Sequence, residues 1–257
     1  MIVKPELKDA LAARLIGMAD DELILGHRNS EWCGHAPILE EDIAFANLAL
    51  DEIGHAVIWY EALAGLLGKD QATYPDRLVY QRNADAYRCV RFVELPRGDW
   101  AFSMLRQYLF DVYEAVLMQE LVASSYAPLA DAAAKIRQEE VYHLRHTHAW
   151  VRRLGLGTDE SNRRMQRALD DLWPYAAQLV AAQPSDQALA GEGILPEPAD
   201  LRTAWLDRIT VHLVDSGLSI PALPDDGFPD RSQHTGHLAP LLEELQKVAR
   251  LDPEATW

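Results

Sequence analysis

The chain has 257 residues, of which 49% are hydrophobic and 25% charged, which predicts a single globular domain over residues 1–257. The formal charge of −16 argues against nucleic acid as a partner, because proteins hold phosphate backbones with Lys and Arg. The chain has only two cysteines, which predicts no disulfide framework. It has no leader-like start and no run of about 18 apolar residues, so we expect a cytoplasmic protein without a membrane span.

Apolar residues recur every three or four positions in each long segment, which predicts helices almost throughout. The first helix is expected at about residues 5–28, and the second runs from the loop at residues 34–37 to about residue 67. Residues 69–98 are expected to be irregular, with at most one short helix near residues 76–92. This segment is interpreted as the long crossover of a helical bundle.

Two more long helices follow the crossover. Asp99 is the predicted N-cap of a third helix that reaches about residue 126. Pro128 opens a fourth, which Gly155 and Gly157 end. Three further helical segments are expected at about residues 159–182, with a kink at Pro174, 199–216 and 238–250. The first 155 residues thus form the bundle, and the additional C-terminal helices, at about residues 158–250, pack against it or serve a partner.

Each of the four bundle helices carries a carboxylate inside its apolar stripe. An ionised carboxylate among apolar neighbours is costly unless it is paired or binds metal. Two of the helices add a His three residues after the Glu, and this spacing places both side chains on one face of the helix. The six residues are Glu22, Glu52, His55, Glu114, Glu140 and His143.

The order Glu, Glu-x-x-His, Glu, Glu-x-x-His is the ligand pattern of di-iron and di-manganese proteins with a ferritin-like fold. The predicted fold class is therefore all-α, a ferritin-like four-helix bundle with additional C-terminal helices. Oxygen and imidazole ligands suit two iron ions, with manganese as the alternative. The competing interpretation of the same six residues is a buried ion-pair network without metal. No catalytic residue and no site for an organic cofactor is predicted.

Other polar residues leave two interpretations open. Asp111 and Glu139 are candidates to accept the second N–H of a ligand His, or they are plain carboxylates on helix surfaces. A run of arginines between residues 145 and 167 favours an acidic partner or a phosphate-bearing substrate, or it is a solvated helix face. The remaining histidines are interpreted as capping or surface residues; they are His27, His35, His146, His148, His212, His234 and His237.

Four strings of the sequence carry a family resemblance: EWCGHAPILEEDIAFANLALDEIGHA (31–56), RQYLFD (106–111), YHLRHTHAWVRRLGLGTD (142–159) and HTGHLAPLLEEL (234–245). They resemble the C-type subunit of the bacterial 1,2-phenylacetyl-CoA epoxidase. The resemblance implies a ferritin-like protein that pairs with a homologous, catalytic A-type subunit, receives electrons through a reductase component and uses dioxygen to form an epoxide on an aromatic CoA thioester.

The C-type subunit is generally the structural partner in that family and tends to lose its metal ligands, whereas this chain keeps all six positions. Two functions therefore stay open: an oxygen-activating di-iron monooxygenase component, which the ligand set favours, and a non-catalytic scaffold for a homologous oxygenase subunit. Iron storage is a weaker third. A partner, either an A-type subunit or a second copy, is also expected because the later helices carry Trp173, Trp205 and Trp257, and aromatic residues are common at interfaces.

Overall fold

A computed structural model of the chain describes residues 3–222 and 228–252, and these residues form ten α-helices and no β-strand. The all-α class is confirmed. Four helices are long: α1 (Pro5–Ser30), α2 (Leu39–Leu67), α5 (Trp100–Leu121) and α6 (Ala127–Gly155). The others are α3 (Tyr74–Tyr80), α4 (Arg91–Glu94), α7 (Asp159–Ala176), α8 (Asp186–Gly191), α9 (Pro198–Asp215) and α10 (Leu238–Gln246).

The four long helices form the expected ferritin-like bundle. Helix α1 packs along α2, α5 packs along α6, and α2 faces α6. Short loops within each pair make its helices antiparallel neighbours, whereas the long crossover joins α2 to α5. Helix α2 ends where Gly68 adopts φ +68°, a left-handed conformation that favours glycine. The single short helix expected in the crossover is instead two short helices, α3 and α4, with a 3₁₀ turn between them.

Helix α5 begins at a local side-chain cap and ends at a contact with a distant segment. The Asp99 side chain accepts a hydrogen bond from the Phe102 N–H and caps α5, as predicted. Helix α5 ends at Leu121, five residues before the predicted end. The chain turns there because Ser124 Oγ donates to the Ile194 carbonyl and Ser125 N donates to the Gly193 carbonyl. Pairing with a distant segment therefore stops a helix that its own sequence would continue.

The C-terminal helices enlarge the core of the bundle. Helices α7 and α9 both pack on α5. Trp173 of α7 and Trp205 of α9 are buried and stack with ring centroids 6.2 Å apart, and the Trp205 indole N–H donates to the Leu109 carbonyl of α5. The use of Trp173 and Trp205 as markers of a partner surface is therefore wrong, because both lie inside the monomer. Trp257 lies outside the described residues.

Two later segments differ from expectation in detail. Helix α7 continues through Pro174 but ends at Ala176, and a 3₁₀ turn carries the chain to Val180. Helix α10 ends at Gln246, four residues early. Over residues 3–222 and 228–252, no helix has both the length and the apolar character needed to cross a membrane.

Candidate metal centre

The six predicted ligand residues meet at the centre of the bundle. Each has 2% or less of its surface exposed, although each is a carboxylate or an imidazole. Helical periodicity brings them together, since each occupies a position in its helix where an apolar residue would otherwise face the core. Glu22 comes from α1, Glu114 from α5, and one Glu-x-x-His pair comes from each of α2 and α6.

Glu52 and Glu140 stand between the two histidines. His143 Nδ1 lies 2.8 Å from Glu140 Oε1 and 3.5 Å from Glu52 Oε1. His55 Nδ1 lies 3.7 Å from Glu22 Oε2, 3.9 Å from Glu140 Oε1 and 4.0 Å from Glu52 Oε2. Both imidazoles thus point the same nitrogen at the carboxylates, and their ring centroids are 5.8 Å apart.

Seven buried atoms of these six side chains make no hydrogen bond of good geometry, and every one of the six side chains contributes at least one. They are Glu22 Oε2, Glu52 Oε2, His55 Nδ1, Glu114 Oε2, both carboxylate oxygens of Glu140 and His143 Nδ1. Two of the seven, His143 Nδ1 and Glu140 Oε1, lie 2.8 Å apart as an ion pair, and the other five have no such close partner. A buried polar atom without a partner costs about 1–3 kcal/mol, so five such atoms in one place require a common explanation. Coordination of a metal ion supplies one, because it uses the same lone pairs.

Ligand atoms from two overlapping groups are close enough to share an ion. One group is Glu22, Glu52, His55 and Glu114, with its ligand atoms within 4.8 Å of one another. The other is Glu52, Asp111 and His143. This buried cluster could therefore hold a metal ion. Which metal it takes, and how many ions the six side chains bind, remain predictions.

Each candidate ligand histidine is held by a carboxylate from the opposite helix. His55 Nε2 of α2 lies 2.8 Å from Glu139 Oε2 of α6, and His143 Nε2 of α6 lies 3.2 Å from Asp51 Oδ2 of α2. Each pair favours a proton on Nε2, so Nδ1 is the nitrogen that faces the interior of the bundle and could bind a cation there. Glu139 thus accepts the second N–H of a candidate ligand histidine, which is one of its two predicted roles. The same role of Asp51 is not predicted by the sequence.

Asp111 faces the centre but does not contact a histidine N–H. Its Oδ1 accepts from Gln107 Nε2 at 2.6 Å, and its Oδ2 accepts from Thr147 Oγ1 at 2.5 Å. Gln107 Nε2 also donates to Glu52 Oε1, and the Gln107 carbonyl oxygen accepts from Asn29 Nδ2. This amide network is not predictable from the sequence, because Gln and Asn on a helix carry no spacing pattern of their own.

Burial without a cation shifts the carboxylate pKa values upward. Burial, with the nearby charges of Glu114 and Glu52, raises the pKa of Glu22 well above its usual range. Burial and Glu140 do the same to the pKa of Glu114. Burial also raises the pKa of Glu140 to about 7 and that of Asp111 to about 8. In the metal-free protein, protons therefore neutralise part of the negative charge that cations would otherwise balance.

Glu52 and His143 form the charged pair of the metal-free cluster. Burial would raise the pKa of Glu52, but its interaction with Glu22 and the charge of His143 outweigh burial and lower that pKa to about 2. Burial would likewise lower the pKa of His143, but the Glu140 charge and the hydrogen bond to Asp51 raise it well above its usual range. A cation binding at His143 Nδ1 must therefore displace a proton.

Space at the cluster is small. A cavity of ≈ 10 Å³, about the room of one water, lies beside Glu22, Trp59 and Glu114. Two larger cavities, of ≈ 490 Å³ and ≈ 770 Å³, are lined by other parts of the chain and touch none of the six side chains.

Several histidines outside the cluster are more buried than expected. His234 Nδ1 lies 2.6 Å from Glu94 Oε1, and His146 Nε2 lies 3.0 Å from Glu41 Oε2 of α2. His212 is buried and stacks on His148 with ring centroids 3.4 Å apart. The interpretation of His146, His212 and His234 as capping or surface residues is therefore wrong, because each packs between elements.

Comparison with known proteins places this bundle in a family. The family model described as "phenylacetic acid catabolic protein" matches residues 3–257. The chain belongs to this family. It is 37% identical over 250 residues, 96% of this chain and 99% of the relative, to the C-type subunit of the 1,2-phenylacetyl-CoA epoxidase of Escherichia coli (strain K12). It is also 24% identical over 228 residues, 86% of this chain and 72% of the relative, to the A-type subunit of that epoxidase.

The resemblance to the C-type subunit is thereby confirmed. That relative and this chain match over nearly their whole lengths, so the match covers all four long helices of the bundle. The A-type and C-type subunits of the epoxidase are thus both related to this chain, which suggests a partnership between related subunits in this family.

Proposed function

We propose that this chain is a ferritin-like component of a multicomponent oxygenase that acts on an aromatic CoA thioester, and that it binds a di-iron centre. The observation that carries the metal proposal is the convergence of six buried carboxylate and imidazole side chains between four helices, where most of the atoms that face one another make no hydrogen bond. Likeness to the two epoxidase subunits supports the reaction class. A cytoplasmic location and a reductase that delivers electrons belong to the same proposal.

The donor set fits two divalent ions by charge. Four carboxylates carry four negative charges and two divalent ions carry four positive charges, while neutral imidazoles complete the set. Two ferrous ions, when bound, supply the electrons that activate dioxygen. The protein's part is to hold Glu52 and Glu140 between the two histidines, to fix both imidazoles through Glu139 and Asp51, and to exclude bulk water.

Metal analysis tests the proposal directly. Protein purified from iron-supplemented cells should contain about two iron ions per chain by elemental analysis. Glu52→Ala and His143→Ala should lose the metal and keep their helical circular dichroism, and Asp131→Ala on the exposed side of α6 should retain it. A wild-type chain that binds less than one ion, or that takes manganese in preference to iron, would contradict the di-iron assignment.

A non-catalytic structural subunit is the second candidate. The small cavity at the cluster favours it, because a CoA thioester needs far more room than one water occupies. Oxygen consumption by the assembled complex separates the two candidates. If Glu52→Ala abolishes substrate oxidation while the complex still assembles, this chain carries the chemistry. If activity is unchanged, the partner carries it and this chain is a scaffold.

A further inference from the structure

The outer face of α2, opposite its metal-binding side, is apolar and exposed. A stripe of six residues spaced by three or four positions runs along it: Leu39, Ile43, Ala46, Leu50, Gly54 and Val57. Its four large aliphatic side chains are exposed by 72%, 56%, 67% and 42%, in chain order. The apolar face of a helix is normally covered by another element. Helices α1 and α6 cover the other faces of α2, and this outer stripe is left open.

The outer stripe has the size of the apolar centre of an interface. From Leu39 to Val57 it spans five helical turns, about 27 Å. With the width of one helix, roughly 10 Å, this makes about 300 Å² of continuous apolar surface. Patches of this size on a monomer are often functional, and interfaces place such a patch inside a polar rim.

Packing within the free chain does not require a glycine at position 54 of the outer stripe. A Cβ atom added there would meet nothing within 4 Å, although Gly in a helix interior costs about 1 kcal/mol relative to Ala. Gly26 of α1 is different, since a Cβ there would lie 2.9 Å from the Ala49 carbonyl oxygen. Packing inside the monomer explains Gly26. Close approach of another helix from outside explains Gly54.

The charges around the outer stripe specify the partner. Helix α2 contains six carboxylates and neither Lys nor Arg, and the whole chain carries −16. Glu40, Asp42, Asp51 and Glu61 are exposed or half-exposed on this helix. A second copy of this chain would therefore set carboxylates against carboxylates. A helix with an apolar stripe and basic edges would instead complement both the shape and the charge of this face.

We infer that the outer stripe of α2 is the docking surface for a helix of a homologous ferritin-like subunit whose contact face is apolar with basic edges. The inference rests on the proposed membership in a multisubunit oxygenase and adds the surface that makes the contact. Asp51 and Glu139, which hold the two histidines, lie part-exposed beside this surface. The docked subunit covers them and thereby shields the hydrogen bonds that orient His143 and His55.

Gly54→Leu is the test variant. A Cβ atom at this exposed position meets nothing within 4 Å in the free chain, and Leu favours helix over Gly, so the monomer should be at least as stable as wild type. The probe is an A-type subunit from the same organism, co-expressed and then titrated in sedimentation experiments. Gly54→Leu should weaken that complex at least tenfold. Gly191→Leu is the matched control, because Gly191 ends α8 and also has nothing within 4 Å.

A charge variant tests the same surface independently. Leu50→Lys should weaken the complex, whereas Val211→Lys, a similarly exposed aliphatic position on α9, should leave it intact. If wild type forms no complex with the A-type subunit, the proposed partnership itself fails. If wild type binds but the Gly54 and Leu50 variants bind equally well, only the placement on α2 is wrong. If both variants instead break a dimer of this chain, the occupant is a second copy and the inferred partner is wrong.

Discussion

At the scale of single residues, the centre is organised by reciprocal contacts between α2 and α6. Each helix supplies one histidine and one carboxylate that holds the other helix's histidine: His55 with Glu139, and His143 with Asp51. Both carboxylates are partly exposed, whereas both imidazoles are fully buried. The two partly exposed carboxylates thus orient the buried imidazole nitrogens, and a substitution at these exposed positions disturbs the packing of the core least.

Removing these outer carboxylates should weaken metal binding without unfolding the protein. We expect Glu139→Ala and Asp51→Ala each to lower metal affinity roughly tenfold to a hundredfold, because the imidazole loses the acceptor that fixes its tautomer. Chelator competition measures the affinity, and circular dichroism checks the fold. Asp131→Ala, an exposed carboxylate of α6, is the control. Unchanged affinity in both variants would show that these contacts do not support the site.

The metal-free protein should lose stability as the pH rises from about 4 to 8. Carboxyl groups in an unfolded chain have pKa values near 4, whereas burial raises the pKa of Glu140 to about 7 and that of Asp111 to about 8. The folded state binds more protons than the unfolded state in this range, so the free energy of unfolding falls as those protons dissociate. The pKa of Glu52 is lowered to about 2, so Glu52 changes the stability only at a pH below this range.

Thermal melts in chelator from pH 5 to 8 measure this effect. The melting temperature should fall with pH for the chelated protein but not for the metal-loaded protein, because the bound cations take the place of the protons. Asp111→Asn should flatten the fall in chelator. Identical pH profiles with and without metal would mean that the cluster does not bind it.

The sequence predicts the inward residues of the centre better than the residues that support them. Periodicity suffices for Glu22 or Glu114, because a carboxylate inside an apolar stripe stands out. Asp51 sits next to Glu52, where a carboxylate on a helix surface is ordinary, and only the approach of α6 gives it a role. Gln107 and Asn29 are similar, since their amides become informative only once α1 and α5 are in contact.

At the scale of elements, α1 and α2 approach each other closely at Gly26. A Cβ there would lie 2.9 Å from the Ala49 carbonyl oxygen and 3.0 Å from Glu52 Cβ. We expect Gly26→Ala to push α2 outward, to destabilise the fold and to weaken metal binding by moving Glu52. Chemical denaturation and metal titration report the two effects separately.

Gly54→Ala is the matched control on the other side of α2. That position has open space, so alanine should stabilise the free chain by about 1 kcal/mol and leave metal binding unchanged. If Gly26→Ala behaved in the same way as Gly54→Ala, the packing of α1 against α2 would not control the position of Glu52.

Element length decides what the sequence can reveal about the fold. Helices of 22–29 residues such as α2 and α5 repeat their apolar stripe many times and were predicted. Helices α4 and α8, with four and six residues, are too short for a periodic stripe to emerge and were missed. The early end of α5 depends on residues 192–194, some seventy positions away, so no local pattern contains it.

At the scale of the whole molecule, the segment after residue 228 is tied into the bundle by buried charges. Arg231 donates to Asp21 Oδ2 of α1 at 2.8 Å and to the Arg88 carbonyl at 3.0 Å. Both Asp21 and Arg231 are buried. Farther on, Glu94 of α4 is fully buried, and it accepts hydrogen bonds from the Thr235 N–H and hydroxyl. These contacts join the C-terminal segment to α1 and to the crossover.

We therefore propose that the chain unfolds as one domain, and Arg231→Met tests this. The variant leaves Asp21 buried without its cation, which should cost about 3–5 kcal/mol and lower the single melting transition by roughly 10 °C. Arg163→Met, at an exposed ion pair with Glu160, should cost about 0–1 kcal/mol. Two separate calorimetric transitions, with only one shifted, would mean that the C-terminal helices form a unit of their own.

One buried side chain gives the centre an optical reporter. The Trp59 indole is fully enclosed, and its N–H lies 3.4 Å from Glu22 Oε1. An excited indole at this distance from a coordinated transition ion loses its energy to the ion before it can emit light. If a transition ion binds at Glu22 as proposed, we therefore expect the emission of Trp59 to fall, while the stacked pair Trp173 and Trp205 lies apart in the α7–α9 layer of the core. We expect metal binding to be visible as a loss of intrinsic fluorescence, and Trp59→Phe to remove that response.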